Sequence, residues 1–247
     1  MAEKKLTGRI AADRIRMQST PKPPAGAVAR FLALGECTSL ISDVMDELGV
    51  PEGTIGATVL KPTLPGKLIV GPALTVRNIR QRSDPLAAKT HVNRMAEFEA
   101  HNLASSGDVL VIQGVAGMSN MGGISALTGK RQGEAGAIVM GGIRDIAHSR
   151  VVGYPVWSSE VTSVTGKWRL ETVEINGTVE IAGVRIEPGD LVIADDSGVC
   201  FVPRDYILEV LELVEKKAKA EEIRCRAIVG GAAVPDISWS NYGDEKE

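Results

Sequence analysis

The sequence has little cysteine, little net charge and no long hydrophobic run. Its three cysteines, Cys37, Cys200 and Cys225, are too few and too widely spaced for a disulfide framework or a zinc ribbon, which favours a reducing compartment. Lys and Arg number 28 against 31 Asp and Glu, so the net charge is −3 and no global field attracts nucleic acid. The longest apolar runs, at 109–112 and 137–140, have the length of strands and are too short to span a membrane.

What the chain does have is length and an ordinary composition. Its 247 residues, 44% hydrophobic and 24% charged, suffice for a sizeable buried core. The first 20 residues carry charges throughout and lack the apolar core of a secretory signal, so we expect a cytoplasmic protein with no membrane or nucleic-acid partner. The prolines of the segment 21–24 end a polar arm. We predict an N-terminal arm at 1–26, one folded domain at 27–229 and a C-terminal tail at 230–247.

Hydrophobic periodicity predicts the order of helices and strands. Apolar residues recur at helical spacing in the segments 38–48 and 205–224, and His91 to Leu103 is also predicted to be helical. Strands at 109–112 and 137–140 flank a helix that begins near Ile124, and this strand–helix–strand pattern predicts parallel pairing. Further on, Asn176-Gly177 between two β-type segments predicts a tight hairpin, which an antiparallel meander follows.

A glycine-rich segment, 114–136, separates the two central strands. It is not a P-loop, because five residues instead of four separate Gly123 from Gly129, and Arg131 stands where Ser or Thr is needed. No dinucleotide-binding G-x-G-x-x-G follows a strand either. Gly122 and Gly123 would bring the backbone amides at the start of a helix close to a carboxylate or phosphate. A tight turn without any ligand explains the same glycines equally well.

Arg144 and Asp145 follow the strand at 137–140 and precede another helical segment. Ligands bind in open α/β sheets at the carboxyl ends of parallel strands, so the pair lies where a site is expected. Arg144 could bind a substrate carboxylate through two hydrogen bonds, and Asp145 could hold a hydrated divalent cation. A pair that only caps the helix is the simpler alternative. His148, on the same helix face, is a candidate for metal binding or proton transfer, or else a surface residue.

The other polar residues have plainer interpretations. Asp195 and Asp196 precede Ser-Gly, which is typical of a turn. Asp43 adjoins the buried stripe of its helix and could reach a site. His91 and His101 have no ligand-like partners nearby in the sequence, so we assign them no role. The cysteines lack a C-x-x-C pair or a matched histidine and are interpreted as packing residues.

From Thr38 to Pro203 the chain resembles the family of RraA-like proteins and class II 4-hydroxy-4-methyl-2-oxoglutarate (HMG) aldolases. Twenty residues separate Gly123 from Arg144-Asp145, with GDVLVI before and PGDLVIADDSGVCFVP after; TSLISDVMDELG and GPALTVR resemble the family's first helix and early strand. The resemblance implies a swivelling β/β/α-type fold, a single α/β domain with a central mixed sheet and flanking helices. It also implies a homo-oligomer, trimer or hexamer, with sites between subunits.

The resemblance to the aldolases assigns roles to particular residues. Asp145 would hold Mg²⁺ or Mn²⁺ largely through water, Arg144 would bind a small 2-oxo acid, and the amides of Ile124 and Ser125 just after Gly123 would bind its carboxylate. The implied activity is a metal-dependent lyase reaction, retro-aldol cleavage or decarboxylation. Either reaction leaves a pyruvate enolate, whose negative oxygen needs a positive charge already in place.

His148 departs from the aldolase pattern, which continues R-D-x-x-E/D. A neutral imidazole is a poorer partner for hydrated Mg²⁺ than a carboxylate, so the metal, the substrate or the activity can differ. We nevertheless retain His148 with Arg144 and Asp145 as a candidate catalytic residue. The alternative is a non-catalytic protein like the RraA members of the family, which regulate an RNA-degrading endonuclease through protein contact.

Overall fold

The protein, described here from a computed structural model that covers residues 4–50, 53–82, 84–88, 90 and 93–237, folds around a mixed β-sheet with helices on its faces. The strands are β1 (Thr54–Gly56), β2 (Lys61–Pro62), β3 (Ile69–Arg80), β4 (Val109–Gln113), β5 (Ser119–Met121), β6 (Gly136–Ile143), β7 (Val156–Val161), β8 (Leu170–Ile175), β9 (Val179–Ile181), β10 (Val184–Ile186), β11 (Leu191–Ala194) and β12 (Gly198–Val202). The helices are α1 (Ala27–Ala33), α2 (Thr38–Glu47), α3 (Pro85–Ala88), α4 (Glu97–Leu103), α5 (Gly123–Gln132), α6 (Ile146–Val152) and α7 (Ile207–Val229).

The sheet has a parallel centre and antiparallel flanks. Its order is β1-β12-β11-β3-β4-β6-β7-β2, while β5 pairs with β6 and β8 pairs with β3. β3, β4, β6 and β7 run parallel to one another, as the strand–helix–strand pattern predicted. The prediction of an α/β fold with a central mixed sheet and flanking helices is therefore confirmed.

Helices cover the parallel centre on one face, and the rest of the chain buries the other. Leu110 and Ile112 of β4 pack in the core beneath α4 and α5, whereas Val109 and Val111 pack on the opposite face with Trp157. Burial of both faces accounts for the continuous apolar sequence of this strand. A third apolar cluster joins α1, α2 and α7 to β11 and β12.

The N-terminal arm packs on its own chain. Ile10 is buried in the core beneath α4, and Ile15 forms a parallel bridge to Ile175. The backbone amide of Thr7 donates a hydrogen bond to Glu99 Oε2 at 2.7 Å. These contacts hold the arm across the start of α4, and they bring Arg9 into this neighbourhood.

Two local predictions are corrected. The hairpin predicted at Asn176-Gly177 is wrong, because β8 pairs with β3 while β9 turns back onto β10. Asn176 adopts a left-handed backbone (φ 53°), and its side chain donates a hydrogen bond to Met17 O. The chain therefore turns at Asn176 from the β8–β3 pair to the β9–β10 pair. The predicted helix from His91 begins only at Glu97 within the described residues, and His91 itself lies outside them. No helix in the described part of the chain is long and apolar enough to cross a membrane.

Candidate active site

The carboxyl ends of the parallel strands and the amino ends of three helices meet at one edge of the sheet. α4 and α5 both end beside the amino ends of β4 and β6, where Gly107 N donates to Gly133 O at 2.9 Å. The two helices therefore run side by side in the same direction, and their amino ends point to the edge where β6 ends. Arg144 and Asp145 occupy the turn between β6 and α6 at that edge.

Asp145 has an uncommon backbone conformation, and only one of its two carboxylate oxygens accepts a hydrogen bond from the described residues. It precedes α6 in the left-handed region (φ 58°, ψ 38°), a conformation that Asp tolerates better than most residues and that recurs at functional sites. Its Oδ2 accepts a hydrogen bond from Gly123 N at 3.2 Å and lies 3.4 Å from Arg144 Nε. Oδ1 accepts no hydrogen bond from the described residues, and the side chain is 51% exposed.

Glycine at positions 122 and 123 gives room for this close approach. A Cβ on Gly122 would stand 3.0 Å from Asp145 Oδ2 and 3.2 Å from Arg144 Nε. A Cβ on Gly123 would stand 3.0 Å from His148 Cβ and 3.1 Å from Asp145 Cβ. The glycines thus let the start of α5 touch the Arg144-Asp145 turn, and His148 on α6 faces Gly123.

The first turn of α5 leaves backbone amides for a ligand. The amides of Ile124 and Ser125 belong to the turn in which an α-helix provides no acceptor, and the helix dipole adds positive charge there. Ile124 is 70% exposed, whereas the side chain of Ser125 is buried. Ser125 is therefore placed to present its amide and not its hydroxyl.

A buried chain of hydrogen bonds anchors that first turn. Ser125 Oγ lies 2.7 Å from His101 Nε2, and His101 Nδ1 lies 2.7 Å from Glu134 Oε1. The Tyr154 hydroxyl donates a hydrogen bond to Glu134 Oε2 at 2.6 Å, and burial raises the pKa of this tyrosine well above its usual value. His101, which received no role from the sequence, thus ties α4 to α5.

Glu97 is a second residue that sequence reasoning missed. It is the first residue of α4 and only 9% exposed, and its Oε2 has no hydrogen-bond partner among the described residues. Burial raises the pKa of its carboxyl group, while a hydrogen bond from its own backbone and electrostatic interactions with His101, Arg9 and Arg144 oppose that rise. A buried acid with one unpaired oxygen, within electrostatic range of a candidate substrate-binding arginine, is a recognisable mark of a functional site. Nothing in the local sequence distinguishes it from Glu99, which is fully hydrogen-bonded.

Asn120 holds the loop that leads into α5. Its Oδ1 accepts hydrogen bonds from Val115 N at 3.0 Å and Asn78 Nδ2 at 3.3 Å. Its Nδ2 donates to the carbonyls of Val115 and Met118. The side chain is completely buried, so it fixes the approach of the glycine-rich segment to β6.

The other candidates lie away from this edge. Asp43 lines a depression of about 250 Å³ with Thr38, Ser42 and Ser197. β12 begins beside this depression and runs parallel to β3, so the depression lies at the opposite end of the sheet from Asp145.

Asp195 has a structural role that goes beyond a turn. It accepts hydrogen bonds from Ser197 N, as the turn interpretation requires, and also from the amides of Cys37 and Thr38 at the start of α2. Burial raises the pKa of Cys37 and Cys200 to about 12, which agrees with their interpretation as packing residues. The same interpretation of Cys225 is wrong, because Cys225 is exposed on α7.

The donor set near Asp145 fits a hydrated cation and not a protein cage. No group of three or more His, Cys, Asp or Glu side chains suited to a metal occurs in the part of the chain that the structure describes. Mg²⁺ commonly retains several waters and binds through one or two carboxylates. The free oxygen of Asp145, half exposed and close to His148, meets that minimal requirement.

This fold is that of an RraA-like protein. The family model described as RraA-like: Aldolase/RraA matches residues 38–201, and the chain belongs to that family. It is similar to a Halalkalibacterium halodurans protein named "Putative 4-hydroxy-4-methyl-2-oxoglutarate aldolase", with 32% identity over 77% of this chain and 84% of that protein. It is also similar in structure to Streptomyces coelicolor RraAS2, described as an unusual member of the RNase ES inhibitor RraA protein family, with a TM-score of 0.70 and 27% identity over 82% of this chain and 97% of RraAS2.

A third relative is much longer than the matched region. Legionella pneumophila protein DlpA is 28% identical over 78% of this chain, but the chain spans only 30% of DlpA. The matched relatives therefore share a domain that occurs both nearly alone and within a longer protein.

Proposed function

We propose that the protein is a divalent-metal-dependent lyase that cleaves a carbon–carbon bond of a small 2-oxo acid by retro-aldol cleavage or decarboxylation. The observation that carries the proposal is the meeting of Asp145, Arg144 and the first turn of α5 at one edge of the sheet. Similarity to the H. halodurans protein supports the same reaction class. Catalytic roles for Arg144, Asp145 and His148 are part of this proposal.

Substrate binding follows from the positive groups at the site. The 1-carboxylate of the 2-oxo acid would accept hydrogen bonds from the amides of Ile124 and Ser125, since Gly123 leaves room for its approach. Arg144, 42% exposed on its side chain, would lie against the 2-oxo group. When the bond to C3 breaks, its electron pair delocalises onto the 2-oxo oxygen, and Arg144 stabilises the charge that develops there.

Asp145 would hold Mg²⁺ or Mn²⁺ through its free oxygen, largely by way of water. A cation bound there would supply Lewis-acid stabilisation of the negative charge that develops on the 2-oxo oxygen. The hydrogen bond from Gly123 and the contact with Arg144 hold the Asp145 carboxylate at the start of α5, where the substrate would bind. Because the enolate is stabilised in this way, no lysine Schiff base is required.

The test is pyruvate release from oxaloacetate and from HMG in Mg²⁺, in Mn²⁺ and in EDTA. We expect release with either metal and none with EDTA. The absence of release from both substrates under all three conditions would refute the lyase proposal.

A non-catalytic regulator of the RraA type is the second candidate. The likeness to RraAS2, which covers nearly all of that protein, favours it. Such a protein would release no pyruvate, and its binding to an endonuclease would be insensitive to Asp145→Asn. The pyruvate assay therefore separates the two candidates.

His148→Glu restores the acid of the aldolase pattern and is expected to raise Mg²⁺-dependent pyruvate release. A carboxylate beside Asp145 would add negative charge and an oxygen acceptor for metal-bound water, which Mg²⁺ prefers to imidazole. We expect about a tenfold lower Mg²⁺ concentration at half-maximal rate, equivalent to about 1.4 kcal/mol. His148→Gln, which adds no charge, is the matched control. An unchanged or lower rate for His148→Glu would mean that the imidazole itself is needed.

We also propose that the protein is a homo-oligomer in which a second copy covers the apolar rim of the site. Ile124 at the start of α5 and Val151 near the end of α6 are 70% and 87% exposed. Exposed apolar residues beside a functional edge are typical of an interface. Light scattering should give a multiple of 26.2 kDa for the native chain and a smaller mass for Val151→Asp. A native mass of one chain at micromolar concentration would contradict this.

A further inference from the structure

The Oε2 atom of Glu97 is buried without a hydrogen-bond partner among the described residues, and Glu97 begins the helix that packs beside α5. His101 sits beside Ser125, and Glu97 is one helical turn earlier on α4, about 6 Å towards the amino end. Ser125 is only the third residue of α5, and α4 and α5 run in the same direction. Glu97 is therefore at or just beyond the start of α5, on the side where Gly123, Arg144 and Asp145 meet.

The groups around Glu97 are those expected of a proton-transfer site. Arg144 comes from the β6–α6 turn, Arg9 from the N-terminal arm and His101 from α4 itself, and all three act on Glu97 electrostatically. Despite these positive neighbours, burial dominates and the pKa of Glu97 lies above its ordinary value. A buried carboxyl with an unpaired oxygen is costly to keep and is tolerated where it is used.

We propose that Glu97 is the proton donor and acceptor for C3 of the 2-oxo acid. This inference rests on the proposed lyase function. After cleavage, the C2–C3 electron pair of the enolate takes the proton of the Glu97 carboxylic acid, which gives the methyl group of pyruvate and the Glu97 carboxylate. Solvent then returns a proton to Glu97. In the reverse direction, the carboxylate removes a C3 proton of pyruvate and the electron pair returns to the enolate.

The reverse half-reaction provides the experiment. In D₂O with Mg²⁺, the native protein should exchange the methyl protons of pyruvate for deuterium, which proton NMR follows directly. Positioned acid–base groups contribute roughly 10²–10⁴-fold, so Glu97→Gln should slow this exchange about 100-fold or more. Oxaloacetate decarboxylation should fall less, because loss of CO₂ needs no proton from the protein.

Glu99→Gln is the matched control. Glu99 is a fully buried carboxylate two residues away on the same helix, but Thr7 and Asn102 donate hydrogen bonds to it. Its replacement should lower the unfolding temperature and leave the exchange rate within about threefold of the native rate.

Stability gives a second readout that needs neither metal nor activity. Because burial raises the pKa of Glu97, the folded protein holds this proton more tightly than the unfolded chain, and stability is lost as pH rises from the ordinary value of 4.5 through the raised one. Glu97→Gln removes this loss, so it should raise the unfolding temperature more at pH 7.5 than at pH 4.5.

The outcomes are distinguishable. Slower exchange in Glu97→Gln, together with its greater stability at pH 7.5, supports the inference. Exchange at the native rate, or a loss of stability at pH 7.5, overturns it while pyruvate release by the native protein still supports the lyase function. A native protein that neither releases pyruvate nor exchanges its methyl protons overturns both.

Discussion

Asp145→Asn is expected to abolish metal-dependent pyruvate release while leaving the fold intact. The amide has the shape of the carboxylate and tolerates the left-handed backbone that this position requires, so the turn between β6 and α6 should persist. What is lost is the negative charge that would hold the cation. Removal of one electrostatic stabiliser of a developing oxyanion costs about 10²–10³-fold in rate, and loss of the metal adds to this. We expect a fall of at least about 1,000-fold, or roughly 4 kcal/mol in the activation barrier.

Asp196→Asn is the control for this variant. Asp196 is also an exposed carboxylate in a turn and accepts a hydrogen bond from Gly66 N, but it follows β11 at the far end of the sheet. Its replacement should leave pyruvate release unchanged. Equal activity of Asp145→Asn and the native protein, at matched unfolding temperature and saturating Mg²⁺, would remove Asp145 from the mechanism.

A second variant at position 145 separates the effect of backbone strain from the effect of the carboxylate charge. Asp145→Gly relieves the left-handed backbone and deletes the carboxylate, so its activity should fall as far as that of Asp145→Asn. Its stability depends on two opposing effects, relief of strain and greater freedom of the unfolded chain. Activity that follows the carboxylate and not the backbone would support Asp145 as a ligand.

The parts of the site that are local in sequence could be predicted from sequence. The strand at 137–140, the Arg144-Asp145 pair after it and a helix starting near Ile124 were all expected, and the structure begins that helix at Gly123. Such features depend on periodicity, turn chemistry and the rule that ligands gather at the carboxyl ends of parallel strands. They carry their signal within about 25 residues of chain.

The parts of the site that depend on packing between helices could not be predicted from the sequence. His101 had no partner nearby in sequence, yet Ser125 and Glu134 reach it from 24 and 33 residues away. Glu97 and Glu99 are the same residue type and lie on the same helix. Only the fold pairs Glu99 with the N-terminal arm and leaves Oε2 of Glu97 without a partner among the described residues. The wrong hairpin has the same origin, since β8 finds a better partner in β3, about 95 residues earlier, than in β9.

His101→Leu is expected to destabilise the protein strongly. His101 is completely buried, and its replacement leaves Glu134 Oε1 and Ser125 Oγ without their partner in the core. Loss of a hydrogen-bond partner in the core costs about 1–3 kcal/mol for a neutral polar group and more for a charged one, because the group left behind stays desolvated. Chemical denaturation at neutral pH would measure this loss.

The graded comparison is Tyr154→Phe, which removes one donor from the same carboxylate. Glu134 would keep its contact with His101, so the loss should be about 1–2 kcal/mol. The double variant should lose less than the sum of the two single losses, because Tyr154 and His101 satisfy one carboxylate and act as a unit. Strict additivity, or a His101→Leu protein as stable as the native one, would contradict a shared network. Since that network ends on Ser125, whose amide would bind the substrate carboxylate, a coupled loss of stability would also identify what holds the first turn of α5 in place for binding.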